Sequence, residues 1–189
     1  SNSRAASIAP GENQADHWFH QEYDDDWVRL SAESNVSYCI GTRNLGLLSA
    51  TYTYLYGTDG TTLLAYDCGS GPEWFSSLIP WTCAKSGSYY LMVQHCCPFE
   101  FGILTDYDLF VKRNKFSDVP CDHWAFHYIH ACTVAGIVSG YDGSYQPSSP
   151  VTRAQMAVFI ARALAGGEDH VPPGPVTPTF PDDVPTGHW

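Results

Sequence analysis

The sequence predicts two domains, an all-β sandwich followed by an all-α helix–loop–helix unit, and three observations carry that prediction. Through Lys115, short runs rich in Tyr, Val, Leu and Thr alternate with turn signals at regular spacing, as the strands of a sandwich do. Beyond Lys115 the apolar residues recur at helical spacing. A pattern in this second part, Asp118-Val119-Pro120-Cys121-Asp122-His123-Trp124, returns as Asp183-Val184-Pro185-Thr186-Gly187-His188-Trp189, at a period that a two-helix unit plus a linker fits. With 189 residues, 44% of them apolar and 15% charged, the chain is long enough to bury a core.

The strand runs are Trp27-Val28-Arg29-Leu30 and then residues 36–42, 51–56, 61–66, 88–95 and 107–112. Gly57-Thr58-Asp59-Gly60 separates two of them. Asp-Gly between β-rich runs marks a hairpin, because both residues tolerate positive φ. A first helix is predicted over 124–135, with Ala125, Ile129 and Cys132 on one face and Gly136 as its C-cap; Trp124 reads as core, with a ligand platform as the alternative. A second is predicted over 152–164. There Thr152-Arg153-Ala154-Gln155 has capping-box form: the Thr hydroxyl accepts from the third backbone N–H while Gln reaches back to the cap. Met156, Phe159, Ile160, Ala163 and Leu164 follow at helical spacing, and Gly166-Gly167 stops the run.

The expected boundaries are an N-terminal arm at 1–20, the sandwich at 21–115, the helical unit at 116–166, a proline-rich linker at 167–179 and the start of a second, truncated unit at 180–189. A beginning without Met and an end inside a motif read as a segment of something longer. One two-helix unit can hardly bury its own hydrophobic face, so it is expected to pack on the sandwich, on another repeat or on another molecule.

Charge narrows the function classes. Nine Lys and Arg face 20 Asp and Glu, a formal net charge of −11. Phosphate-backbone binding is driven by counterion release onto Lys and Arg, so nucleic acid is not an expected partner. Anionic membrane surfaces are disfavoured for the same reason. No run approaches the roughly 18 consecutive apolar residues of a membrane span, and the polar opening Ser1-Asn2-Ser3-Arg4 is no signal peptide.

Seven Cys lack paired C-x-x-C spacing, which argues against a structural zinc site and for disulfides in an oxidising compartment. The odd count leaves at least one thiol free or paired between molecules; buried free cysteines in a reduced protein are the alternative. Cys39 and Cys96 in the sandwich strands, and Cys68 and Cys83 near strand ends, are the candidate pairs. Cys132 reads as core, with Cys121 free or linked elsewhere, because the helical rise separates these two beyond disulfide reach.

Phe116-Ser117-Asp118-Val119, His123-Trp124-Ala125, Ala135-Gly136-Ile137-Val138, Gly140-Tyr141-Asp142-Gly143-Ser144-Tyr145-Gln146-Pro147 and Val151-Thr152-Arg153-Ala154-Gln155-Met156-Ala157 together resemble an S-layer homology domain. That family folds as a helix–loop–helix unit, and it anchors secreted bacterial proteins to cell-wall polysaccharide or peptidoglycan. The resemblance implies glycan contacts at Gly140, Tyr141 and Arg153. A planar guanidinium suits anionic sugar substituents, and an aromatic face suits a sugar ring. Gln155 stands where the family usually has Glu, and Thr152 and Gln155 keep the capping role. Asp26-Trp27-Val28-Arg29-Leu30, Tyr38-Cys39-Ile40, residues 55–64, Gly87-Ser88-Tyr89-Tyr90-Leu91-Met92-Val93 and Tyr107-Asp108-Leu109-Phe110-Val111 resemble, in that order, the bacterial pre-peptidase C-terminal domain. This second resemblance implies a jelly-roll-like sandwich that serves as a non-catalytic accessory module, in some members binding calcium or substrate.

Other constellations are thinner. Asp24 and Asp26, with Asp67 from a neighbouring loop, offer hard oxygen ligands for Ca²⁺, or else form a solvated acidic turn. His123, His127 and His130 share one face of the first predicted helix and could hold Zn²⁺ if neutral; the alternative is an exposed helix surface. There is no Gly-x-Ser-x-Gly elbow, His-Glu-x-x-His helix or phosphate-cradling Gly loop. The expectation is therefore a non-catalytic piece of a secreted bacterial cell-surface protein, with a wall-glycan-binding helical module and an accessory binding or adhesion sandwich. Its alternatives are a self-assembling extracellular subunit that exchanges segments, giving an oligomer or filament, and the accessory domain of a secreted peptidase.

Overall fold

A computed structural model describes residues 6–174. Nine strands are present among them: β1 (Ala6–Ile8), β2 (Asn13–Trp18), β3 (Asp25–Ala32), β4 (Ser37–Arg43), β5 (Thr51–Tyr56), β6 (Leu63–Cys68), β7 (Leu78–Thr82), β8 (Gly87–His95) and β9 (Asp106–Arg113). They form a five-stranded sheet ordered β1-β3-β8-β5-β6 and a four-stranded sheet ordered β2-β9-β4-β7. Alternate residues face inward, as the pleat requires. Val28 and Leu30, Leu55, and Leu91 and Val93 from the first sheet meet Tyr38 and Ile40, Ile79, and Leu109 and Val111 from the second in one buried cluster. The fold is thus the expected sandwich, followed by two helices, α1 (Phe126–Val134) and α2 (Arg153–Ala165).

Every predicted strand is present, and three more were missed for separate reasons. Proline in a run argues against a central strand, yet Pro80 lies in β7, an edge strand, where it opposes Cys39 and its absent N–H costs no ladder bond. The polar run Asn13–Trp18 shows no hydrophobic alternation and carries a register shift between Gln14 and His17, with Asp16 at φ 60°. β1 spans only three residues and pairs in parallel with β3 at the other sheet's edge. Residues 1–20, expected as an arm, therefore supply a strand to each sheet.

The two sheets are also joined by a buried hydroxyl network. Thr42 Oγ1 of β4 lies 2.6 Å from Thr51 Oγ1 of β5 and 3.2 Å from Ser77 Oγ, which in turn bonds Thr53. All four residues are buried, and each hydroxyl has a partner, which is the condition for placing polar groups in a core.

The disulfide differs from both expected pairs. Cys39 bonds Cys121, while Cys68, Cys83, Cys96, Cys97 and Cys132 are free thiols. The reason is strand alternation: Tyr38 and Ile40 enter the central cluster, so Cys39 between them faces the other side of β4. Cys96 follows β8 in the opposite sheet, so pairing it with Cys39 would require crossing the core. Cys121 instead brings the segment with buried Phe116 and Val119 to β4.

That segment also moves the boundary. The chain divides into compact units Ser1–Phe126 and His127–Trp189, so residues 116–126 belong with the sandwich rather than with the helical unit. Trp124, expected in the core, is 82% exposed with its ring stacked on His123. In the second unit α2 buries none of its residues, and Met156, Ile160 and Leu164 are exposed, as the small size of one helix pair dictates. Glu168–His170 forms one 3-10 turn at the start of the expected linker. The rest of that linker beyond 174 and the truncated unit at 180–189 lie outside the described residues.

Closing an 82-residue loop, the Cys39–Cys121 bond is expected to stabilise the sandwich by about 2–4 kcal/mol. Cys39→Ala/Cys121→Ala should lower the urea midpoint by the corresponding amount. The unreduced, denatured chain should titrate five thiols, and seven would refute the bond.

Candidate functional site

The loop between the helices begins as a tight hairpin. Tyr141 N–H donates to Ser144 O at 2.8 Å and Ser144 N–H returns to Tyr141 O at 2.9 Å. Asp142 and Gly143 occupy the two central positions at φ 48° and 75°, the paired positive values of a type I′ turn that Asp-Gly favours. Gly140 precedes it at φ 69°. The hairpin holds the Tyr141 ring in solvent, 81% exposed, while Tyr145 behind it is half-buried, and that burial, with the nearby Cys132, pushes its hydroxyl pKa up.

Eight residues after Ser144, α2 starts with the predicted capping box. Gln155 N–H donates to Thr152 Oγ1 at 3.2 Å, and Thr152 N–H donates to Gln155 Oε1 at 2.9 Å. Arg153 is the first helical residue; it is exposed, and no ion pair holds it among the described residues. There is no acid in the first turn. Gln155 supplies the reciprocal cap without a negative charge, so the helix dipole and the guanidinium leave this end electropositive. Tyr141 and Arg153 each present their groups to solvent, and no hydrogen bond links them among the described residues.

The framework beneath includes a residue that sequence reasoning missed. Arg162 donates to Ile137 O at 3.3 Å and pairs with Glu168, whose N–H donates to Gly136 O. A basic residue in the last turn of α2 was the available signal. Gly136 caps α1 at φ 67°, as predicted, and Gly166 caps α2 at φ 83°.

The other candidates resolve differently. His123 precedes α1, where its Nδ1 accepts from Ala125 N–H at 3.1 Å, and it does not join His127 and His130 in a ligand cluster. Asp24 and Asp26 do lie together, but with His20 rather than Asp67, their ligand atoms within 4.8 Å of one another. Asp67 accepts from Ser70 N–H and Leu78 N–H, both at 3.0 Å, and so closes the β6–β7 loop. Within the His20 group, Asp24 accepts from His20 N–H at 2.7 Å, and buried Tyr107 donates to Asp26 at 2.6 Å. Burial holds the Asp26 carboxyl above its ordinary range; burial and then the Asp26 charge raise the Tyr107 hydroxyl well above its own. Two carboxylates and one imidazole are few ligands for Ca²⁺, which takes 6–8 oxygens.

Residues 115–157 match the family model of the S-layer homology domain. The outer membrane protein SlpA of Thermus thermophilus is 33% identical over 88 residues, covering 44% of this chain and 10% of that protein. The S-layer protein sap of Bacillus anthracis is 40% identical over 50 residues, 26% of this chain and 6% of that protein. The chain thus spans about a tenth or less of the length of these relatives. Among solved structures, the pre-peptidase C-terminal domain of a Bacillus anthracis collagenase aligns at a TM-score of 0.45 and 20% identity, covering 58% of this chain and 95% of that one. The chain therefore carries an S-layer homology domain behind a β-sandwich and has a secreted, cell-surface location.

Thr152→Ala removes the cap hydroxyl and should destabilise the start of α2 by about 1 kcal/mol. Amide exchange at residues 155–157 should quicken severalfold while exchange in the sandwich strands stays unchanged.

Proposed function

We propose that the chain is a non-catalytic cell-surface module whose helical unit binds wall polysaccharide or peptidoglycan, with Gly140, Tyr141 and Arg153 as the contact residues. The observation that carries this reading is the pair of exposed groups inside the matched domain: a solvent-facing Tyr141 ring on a braced turn, and an Arg153 guanidinium at a helix N-terminus with no acidic partner among the described residues. Anionic substituents of a wall polymer meet the guanidinium and the free N–H groups of the first turn. The Tyr141 ring offers a flat apolar face for a sugar, and Gly140, which carries no Cβ, lets a ligand approach its backbone. The sandwich acts as a separate binding or adhesion module.

Sedimentation with purified bacterial cell walls tests the site. Arg153→Ala/Tyr141→Ala should bind about tenfold or more weakly than the unaltered chain, which corresponds to at least about 1.4 kcal/mol. Equal retention of the two proteins would remove these residues from the site.

A further inference from the structure

The strand register brings four loops to one end of the sandwich. Asp25 opposes Gln94, Thr51 opposes His95, Tyr52 opposes Cys68, and Trp18 and Arg43 lie opposite Asp106 and Asp108. The β2–β3, β4–β5, β6–β7 and β8–β9 loops therefore emerge together, while β9 ends at the opposite end. Large apolar side chains collect on them: Tyr23, Leu47, Trp74, Phe99 and Ile103 are 66%, 85%, 88%, 61% and 79% exposed. The loops at the other end, 9–12, 33–36, 57–62 and 83–86, expose no large apolar side chain among the described residues. Large apolar side chains exposed together on the loops of one end point to an interaction surface.

The loops hold one another by backbone bonds. Tyr23 N–H donates to Pro98 O at 2.9 Å, Gly102 N–H to Phe19 O at 2.7 Å and Leu48 N–H to Leu104 O at 2.9 Å. The buried His95 ring lies 2.7 Å from both Leu48 O and Cys97 O, and the rings of Tyr23 and Phe99 meet edge to face. The apolar tips are thus presented on a fixed frame, which lowers the ordering cost of docking.

Charge selects the occupant. The loops at 19–24, 44–50, 69–77 and 96–105 hold Glu22, Asp24, Glu73 and Glu100 and no Lys or Arg. Beside them opens a cleft of about 370 Å³ where Asp24, Asp25 and Glu100 stand among the rings of Tyr23, Tyr52 and Tyr54. A second copy's loop end would set these acids against their own kind without a Lys or Arg of the four loops between them, and an anionic bilayer would be repelled. A basic protein surface surrounding an apolar centre complements both features. Carboxylates beside aromatic faces suit a guanidinium or ammonium through ion pairing and cation–π attraction.

We infer that this loop end is a docking surface for a protein partner with a basic-rimmed apolar patch, an arginine or lysine of which enters the cleft. It is independent of the wall-binding reading, since it lies in the other unit. A phage-displayed random dodecapeptide library selected on the full chain tests it. Enriched peptides should combine Arg or Lys with large apolar residues. Their affinity should fall at least tenfold on Asp25→Asn/Glu100→Gln and on Leu47→Ser/Trp74→Ser, with binding weakening as salt rises. The charge-matched control Asp122→Asn/Asp169→Asn should leave it unchanged. The inference is overturned if no peptide is enriched, if enriched peptides lack basic residues, or if the control loses as much as the site variants. It is equally overturned if chitosan oligomers or phosphatidylcholine vesicles bind this end and the peptides do not. All substituted side chains but Asp25's lie in exposed loops or turns, and unaltered thermal unfolding confirms that each variant is folded.

Discussion

The Cys39–Cys121 bond ties the segment that precedes α1 to the sandwich. Cys39 lies on the side of β4 that faces away from the sandwich core, a surface that would otherwise be wet. Tying Cys121 there commits residues 116–126 to the sandwich, with Phe116, Val119 and Phe126 all buried. The four-stranded sheet is accordingly covered near β4 on both faces, and the first dozen residues of the S-layer homology match are part of the sandwich's compact unit. A crosslink spanning 82 residues also removes loop-closure entropy from the unfolded chain between β4 and the start of α1.

The two proposed sites differ in charge. The α2 start carries Arg153 and an uncharged cap on a chain of net charge −11. The sandwich's loop end is the reverse, acidic and apolar without a single Lys or Arg in its four loops. Sites of opposite sign on separate units can serve different ligands at once, as an anchored surface protein that also holds a partner requires. The hydroxyl network of Thr42, Thr51, Thr53 and Ser77 lies near the loop end and ties the two sheets where the docking tips emerge.

Local signals were legible in the sequence, and long-range ones were not. The capping box at Thr152 and Gln155, the Gly136 cap of α1 and the Tyr-, Val- and Leu-rich strands depend on neighbours within a few residues, and each is present as read. The edge strands were illegible because edges tolerate what defines a non-strand elsewhere: Pro80 in β7 and the polar run of β2. The disulfide was misread because spacing carries no information on which side of β4 a segment returns to. Asp67 was grouped with Asp24 and Asp26 as acids on neighbouring loops, yet its carboxylate is spent on the backbone of Ser70 and Leu78. Of the wall-binding candidates, Tyr141 and Arg153 are both exposed, and their roles as glycan contacts remain the proposal made above.

The most direct test of the central claim, that attachment runs through wall glycan at the helical unit, is competition. Binding of the intact chain to purified cell walls is measured against rising concentrations of soluble wall glycan, polysaccharide and peptidoglycan fragments together, released from the same walls, with and without Leu47→Ser/Trp74→Ser. The account predicts saturable binding that the soluble glycan displaces fully and that the loop substitutions leave unchanged. Binding that persists under saturating soluble glycan, or that disappears with the loop substitutions, would contradict it.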